Sequence, residues 1–293
     1  MRVFVTGATG LIGSAVVAEL IDNEHAVLGL ARSDASAEAL RSAGAEPIHG
    51  DLADLDALRK GAAQADGVIH LAFANDFSSP EALAKAIAEE GAALATIGEE
   101  LIDSGRPLVT CSGTPAVPGR ASTEADPLPT VGPVAGRGRS VTAVLDLASR
   151  GVRSSAVRLP RTVHNHGRGG FAGLLTNIAR QSGVSGYPGN GTQRWPAVHA
   201  LDAASLFRLA LEQAPAGTSW HAVDDEGDPV RDIASVIGRR LNVPVKSVKP
   251  ETYGPLGAIF AVDQPASSAH TRETLGWEPT HPRLLEDLET IQP

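Results

Sequence analysis

The nine residues Val5 to Gly13, VTGATGLIG, constrain this 293-residue chain more than any other stretch. They follow the apolar run RVFV and lead into LIGSAVVAELIDN, so a strand has to become a helix within a few residues. Gly7, Gly10 and Gly13 suit that turn. The first allows the tight bend, the second lets a pyrophosphate come against the backbone, and the third lets helix and strand pack closely. In this context the motif predicts dinucleotide binding by Gly7, Thr9, Gly10, Leu11, Ile12 and Gly13.

Downstream, short apolar runs such as AVLGLA, GVIHLAF and PLVTCSG alternate with helix-period segments, among them Pro80 to Ser104 and about Ser140 to Arg150. Strands separated by helices predict an α/β fold, a doubly wound parallel sheet of Rossmann type. After Pro160 glycine and proline cluster in HNHGRGGF and VSGYPGNGTQRWP, which predicts a smaller C-terminal substrate-binding lobe. The expected organisation is a dinucleotide-binding domain over residues 1–160 and a lobe over 161–293, with some segments returning to the core.

A net charge of −9 disfavours a nucleic-acid partner. No stretch approaches ~20 uninterrupted apolar residues, so no membrane span is expected, and MRVFVTG shows no leader, so a cytoplasmic location is expected. Cys111 is the only cysteine, which excludes an internal disulfide and a cysteine-built metal site, and no metal is expected.

The motifs together resemble the extended short-chain dehydrogenase/reductases, the NAD-dependent epimerase/dehydratase-like proteins. Besides the glycines, the resemblance rests on GDLAD (Gly50–Asp54), VIHLAF (Val68–Phe73), VRLPRTVHNHG (Val157–Gly167), WPAVHALDAA and TRETLGWEPTHP, and so covers nearly the whole chain. It implies that Asp51 meets the adenine amino group, with Leu52, Leu71 and Ala72 beside the cofactor and Pro160 and Val163 on its nicotinamide side. At the end of the second strand an NAD site needs an acid for the ribose hydroxyls. Here Ala31, Arg32 and Ser33 stand instead, and a guanidinium beside a hydroxyl suits a 2′-phosphate, so NADP(H) is preferred over NAD(H).

The family's active site implies a Ser or Thr after the fifth strand and a Tyr-x-x-x-Lys pair opening the next long helix. Thr114 matches the first, with Ser112 as a less favoured substitute. Pro133 stands where the tyrosine would be and Arg137 where the lysine would be. Both tyrosines, Tyr187 and Tyr253, lie in the C-terminal half, and no lysine occurs between Lys85 and Lys246. Arg137 can hold the ribose or an oxyanion but cannot deliver a proton. His164, with His166 close by, is a candidate acid against the alternative of a loop residue that shapes the pocket. His70 reads as a strand residue beside the cofactor, with packing as the alternative, and Cys111 as a small apolar core residue.

Substrate contacts are expected from Phe73, Asn75, Thr114, His164, Phe171 and Trp195. Asp76, Phe77, Tyr187 and Arg194 fall in the same segments. This mixture favours a small, partly apolar carbonyl or related compound over a sugar nucleotide. The leading reading is an NADP(H)-dependent oxidoreductase. The alternatives are a catalytically weak dinucleotide-sensing protein and a nucleotide-sugar epimerase or dehydratase. The resemblance also implies a homodimer.

Overall fold

The structure, a computed structural model, describes residues 1–74, 79–132 and 134–292. Asn75, Asp76, Phe77 and Pro133 therefore lie outside the described residues. The chain divides into two compact units, the first comprising 1–112, 127–158 and 204–220 and the second 113–126, 159–203 and 221–293. Residues 113–126, expected in the N-terminal domain, group with the second unit, and 204–220 group with the first.

The first unit is built on β1 (Arg2–Thr6), β2 (Ala26–Ala31), β3 (Glu46–His49), β4 (Gly67–His70), β5 (Pro107–Gly113) and β6 (Arg153–Leu159). With Thr218–His221 these form a seven-stranded sheet in which β1 lies between β2 and β4, followed outward by β5 and β6. The pairs β1–β2, β2–β3, β1–β4 and β4–β5 are all parallel. Because the order reverses beside β1, the carboxyl ends of β1 and β4 flank the crevice where such sheets bind ligands. Helices α1 (Leu11–Asp22), α2 (Asp34–Ser42), α3 (Leu55–Ala63), α4 (Pro80–Leu101) and α5 (Ala135–Asp146) connect the strands. Phe4, Leu28, Leu58, Val68, Leu94, Ile97 and Leu108 form one continuous core.

Helix α5 starts at Ala135, five residues before the Ser140 expected from the sequence. The glycines that read as a loop are helical, and close packing explains them. A Cβ on Gly136 would stand 2.5 Å from the Ile87 side chain, and one on Gly138 2.8 Å from the Pro129 carbonyl oxygen. Arg137 is thereby set in the first turn of α5. At the other end the chain tightens into a 3-10 turn at Leu147–Arg150, stopped by Gly151 at φ 74°.

The second unit has its own core of Trp195, Ile233, Ile237, Phe260, Leu284 and Leu288. Its strands Thr162–His164, Arg194–His199 and Asp225–Pro229 form one sheet, and Ser185–Pro188 with Val245–Val248 a second. Among the described residues no helix is long and apolar enough to cross a membrane.

Gly61 of α3 lies so close to β1 that a Cβ there would stand 2.4 Å from the Phe4 ring, which is fully buried and cannot yield. The roughly 1 kcal/mol of helix propensity that alanine gains over glycine is smaller than the ~1–3 kcal/mol of overpacking. Gly61→Ala is expected to lower stability in urea denaturation, and Phe4→Leu in the same chain to recover part of the loss.

Candidate active site

β1 ends at Thr6, and the chain turns at Gly7, whose φ of 69° lies in the left-handed region. A Cβ on Gly7 would stand 2.8 Å from the Ala72 nitrogen, and one on Gly13 2.0 Å from the Gly7 carbonyl oxygen. The protein's own backbone demands both glycines. Gly10 differs, with a φ of −76°, and an added Cβ would meet only the Gly7 oxygen at 3.4 Å. Among the described residues no closer contact calls for glycine there, and the space beside it is open.

Gly10 is also the N-cap of α1, which has no side-chain cap and no acid in its first turn. The N–H groups at this helix end have no capping side chain and favour an anion. Thr9, Gly10 and Leu11 are exposed around it, with Ile12 half-buried. These features fit a pyrophosphate.

At the end of β2, Arg32 is exposed and has no ion-pair partner among the described residues. Ser33 caps α2, its Oγ accepting from Ser36 N at 3.2 Å. Asp51 folds its own loop, Oδ1 accepting from Ala53 N at 2.9 Å and Asp54 N at 3.1 Å, which leaves Oδ2 outward for a partner. Leu52 packs on the first unit's core.

Thr6 ties β1 to the end of β4. Its Oγ1 accepts from Leu71 N (3.2 Å) and Ala72 N (3.3 Å) and lies 3.0 Å from His70 Nδ1. With both acceptor positions filled, the hydroxyl proton goes to Nδ1, which requires a neutral imidazole there. Burial pushes the His70 pKa down to about 4, and the charge of Arg137 adds to the effect.

Arg137 is the centre of a second cluster. Its Nε donates to Glu90 Oε2 at 2.8 Å and its Nη2 to Glu90 Oε1 at 2.7 Å, while its guanidinium lies 4.0 Å from the centre of the Phe73 ring. Cys111 lies against the same group, its thiol pushed up to about 11 by burial. Ser112 Oγ is buried without a hydrogen-bond partner. Glu90 went unnoticed in the sequence.

In the second unit Thr114 is buried, its N–H donating to Leu159 O at 2.9 Å and its Oγ1 3.4 Å from Gln264 Nε2. Pro160 and Val163, which follow Leu159 in the chain, are buried as well. His164, expected as an acid, is 1% exposed, with Nδ1 2.9 Å from Asp287 Oδ2. Burial alone would raise the Asp287 pKa, but bonds from His164 and Gly167 hold it below the usual carboxylate range. The bond to an ionised Asp287 puts a proton on Nδ1, and Nε2 is buried with no hydrogen-bond partner among the described residues. His166 is exposed in a turn at φ 51°.

His199, Asp202 and His281 each bring one potential metal-ligating atom within 4.8 Å of the others. Asp202 is already committed: it accepts from Thr280 N (2.9 Å), His281 N (3.1 Å) and His281 Nδ1 (2.7 Å). The group is a hydrogen-bonded staple between the VHALD and LGWEPTHP segments.

Trp195, expected on a substrate wall, is fully buried against Phe171 and Phe260 and serves the core. Phe171 is half-buried on the same cluster, and Arg194 is paired with Asp263 at 2.8 Å. Tyr187 packs on that core, and burial pushes the Tyr253 pKa up to about 12.

Residues 3–223 match the model of the NAD dependent epimerase/dehydratase family. The uncharacterized protein C2A9.02 of Schizosaccharomyces pombe is 47% identical over 294 residues, 98% of each chain. A 3-diazoavenalumate denitrifying reductase of a Streptomyces species is 29% identical over 98% of this chain and 99% of that one. Among solved structures, the dTDP-glucose 4,6-dehydratase DesIV of Streptomyces venezuelae aligns with a TM-score of 0.81 over 99% of this chain and 95% of that one, at 18% identity, a likeness of fold.

The neutral His70 has a consequence for pH. Between pH 6.5 and about 4 the unfolded chain binds a proton at His70 that the folded chain refuses, so stability falls as pH falls through that window. The full shift corresponds to about 3 kcal/mol. Urea denaturation at pH 7 and pH 4.5 is expected to show this loss in the wild-type chain and a shallower one in His70→Gln; equal slopes would refute it.

Proposed function

The chain belongs to the NAD-dependent epimerase/dehydratase family, and from that premise we propose that it is an NADP(H)-dependent oxidoreductase reducing a carbonyl or related group of a small, partly apolar compound. The observation that carries the reading is the turn after β1, where α1 lacks a side-chain cap and the middle glycine answers to no contact within the protein. In this reading the N–H groups of Leu11 and Ile12 hold the pyrophosphate. Asp51 Oδ2 accepts from the adenine amino group. Arg32 binds the 2′-phosphate through charge-assisted hydrogen bonds, and no acid at the end of β2 opposes it.

Once bound, the dinucleotide supplies a hydride to the substrate carbon. Arg137 orients the ribose and steadies the negative charge that develops on the substrate oxygen, and its guanidinium keeps its own proton throughout. In this reading the proton comes from solvent, since the guanidinium does not release one. Phe73 beneath Arg137 gives this end of the site an apolar wall, in keeping with a partly apolar substrate. The Streptomyces relative, a reductase by name, supports the reductive direction.

Fluorescence titration with NADPH and NADH tests the reading. The wild-type chain is expected to bind NADPH at least about ten-fold more tightly than NADH, the worth of a charge-assisted contact. Arg32→Ala is expected to erase most of that preference and leave NADH binding intact. Gly10→Ala is expected to keep the wild-type melting temperature and lose both ligands. Equal affinities in the wild type would overturn the NADP(H) assignment. NADPH that binds but is not consumed with any member of a carbonyl panel would overturn the enzymatic reading in favour of a dinucleotide sensor.

A further inference from the structure

We infer that Glu90 is a positioning residue of the cofactor site, holding Arg137 in the one orientation in which it serves the dinucleotide; the inference rests on the dinucleotide-binding reading above. Glu90 occupies the apolar stripe of α4, in line with Ala86, Ala93, Leu94 and Ile97, and is 1% exposed. A carboxylate in such a place costs desolvation and is retained only with a cationic, well-fitted partner. That partner is Arg137, which it meets through two parallel hydrogen bonds of 2.8 and 2.7 Å.

The geometry separates the two ends of the guanidinium. Nε and one Nη2 proton are spent on Glu90, and the ring of Phe73 covers one face at 4.0 Å. An arginine has five N–H donors, so some remain free after these bonds, on a plane that no longer rotates. Arginine is longer than lysine and gains orientation only from such a fork. The pair contributes little to stability by itself, because replacing both members of a buried ion pair with neutral groups is often neutral or stabilising. Its value here is positional.

The full chain is titrated with NADPH in four variants: Glu90→Asp, Glu90→Gln, Arg137→Met, and Glu90→Gln combined with Arg137→Met, with melting temperatures measured alongside. Glu90→Asp keeps the charge but withdraws the carboxylate by one methylene, so the fork cannot close. It is expected to weaken NADPH binding about ten-fold, the worth of one charged hydrogen bond, while the fold is kept. Glu90→Gln is expected to lose as much or more. In the double variant the loss is expected to equal that of Arg137→Met alone, with the melting temperature restored, because Glu90 acts only through Arg137.

Wild-type affinity in Glu90→Asp would overturn the inference and leave the dinucleotide reading standing. So would a double variant that binds more weakly than Arg137→Met. A wild-type chain that binds no NADPH would sink both. If Glu90→Gln alone fails to fold, Glu90→Asp against Arg137→Met still decides.

Discussion

Backbone lies directly against backbone at the turn after β1, where Gly7 packs on Leu71 and Ala72 and Gly13 packs on Gly7. This contact sets the spacing between the carboxyl ends of β1 and β4, and Thr6, the last residue of β1, locks it with bonds to the end of β4. The start of α1, the seat of His70 and the position of Phe73 all follow from it. A side chain at either glycine would push these groups apart before it changed any of them chemically.

Much of the first unit was legible because its signals are local. The glycine turn, the strand-helix alternation and the start of α4 at Pro80 each follow from a few adjacent residues. The start of α5 was not legible. Gly136 and Gly138 suggest a loop when read alone, and only the nearness of Ile87 and Pro129 shows why a helix needs them there. Glu90 failed to register for a similar reason, although a clue existed: it falls four residues after Ala86 and four before Leu94, on the buried face. An acid on an apolar stripe asks for a cation, and the cation lies 47 residues away.

The second unit was harder to read. Trp195 suggests a wall of a pocket because it stands in a segment rich in glycine and proline, yet Phe171 and Phe260 pack against it in the core. His164 and Asp287 are 123 residues apart, and no spacing rule connects them. Which nitrogen of a histidine carries the proton depends on its partner, and partners of this kind appear only once the chain is folded.

An arginine rather than a lysine at residue 137 also bears on self-damage. A lysine amine beside a reactive carbonyl compound can add to the carbonyl carbon and be trapped as a Schiff base. The guanidinium stays protonated and has no free lone pair to add, and Glu90 holds it in place. With no lysine between Lys85 and Lys246, this part of the chain is poorly suited to condensation with aldehydes and ketones.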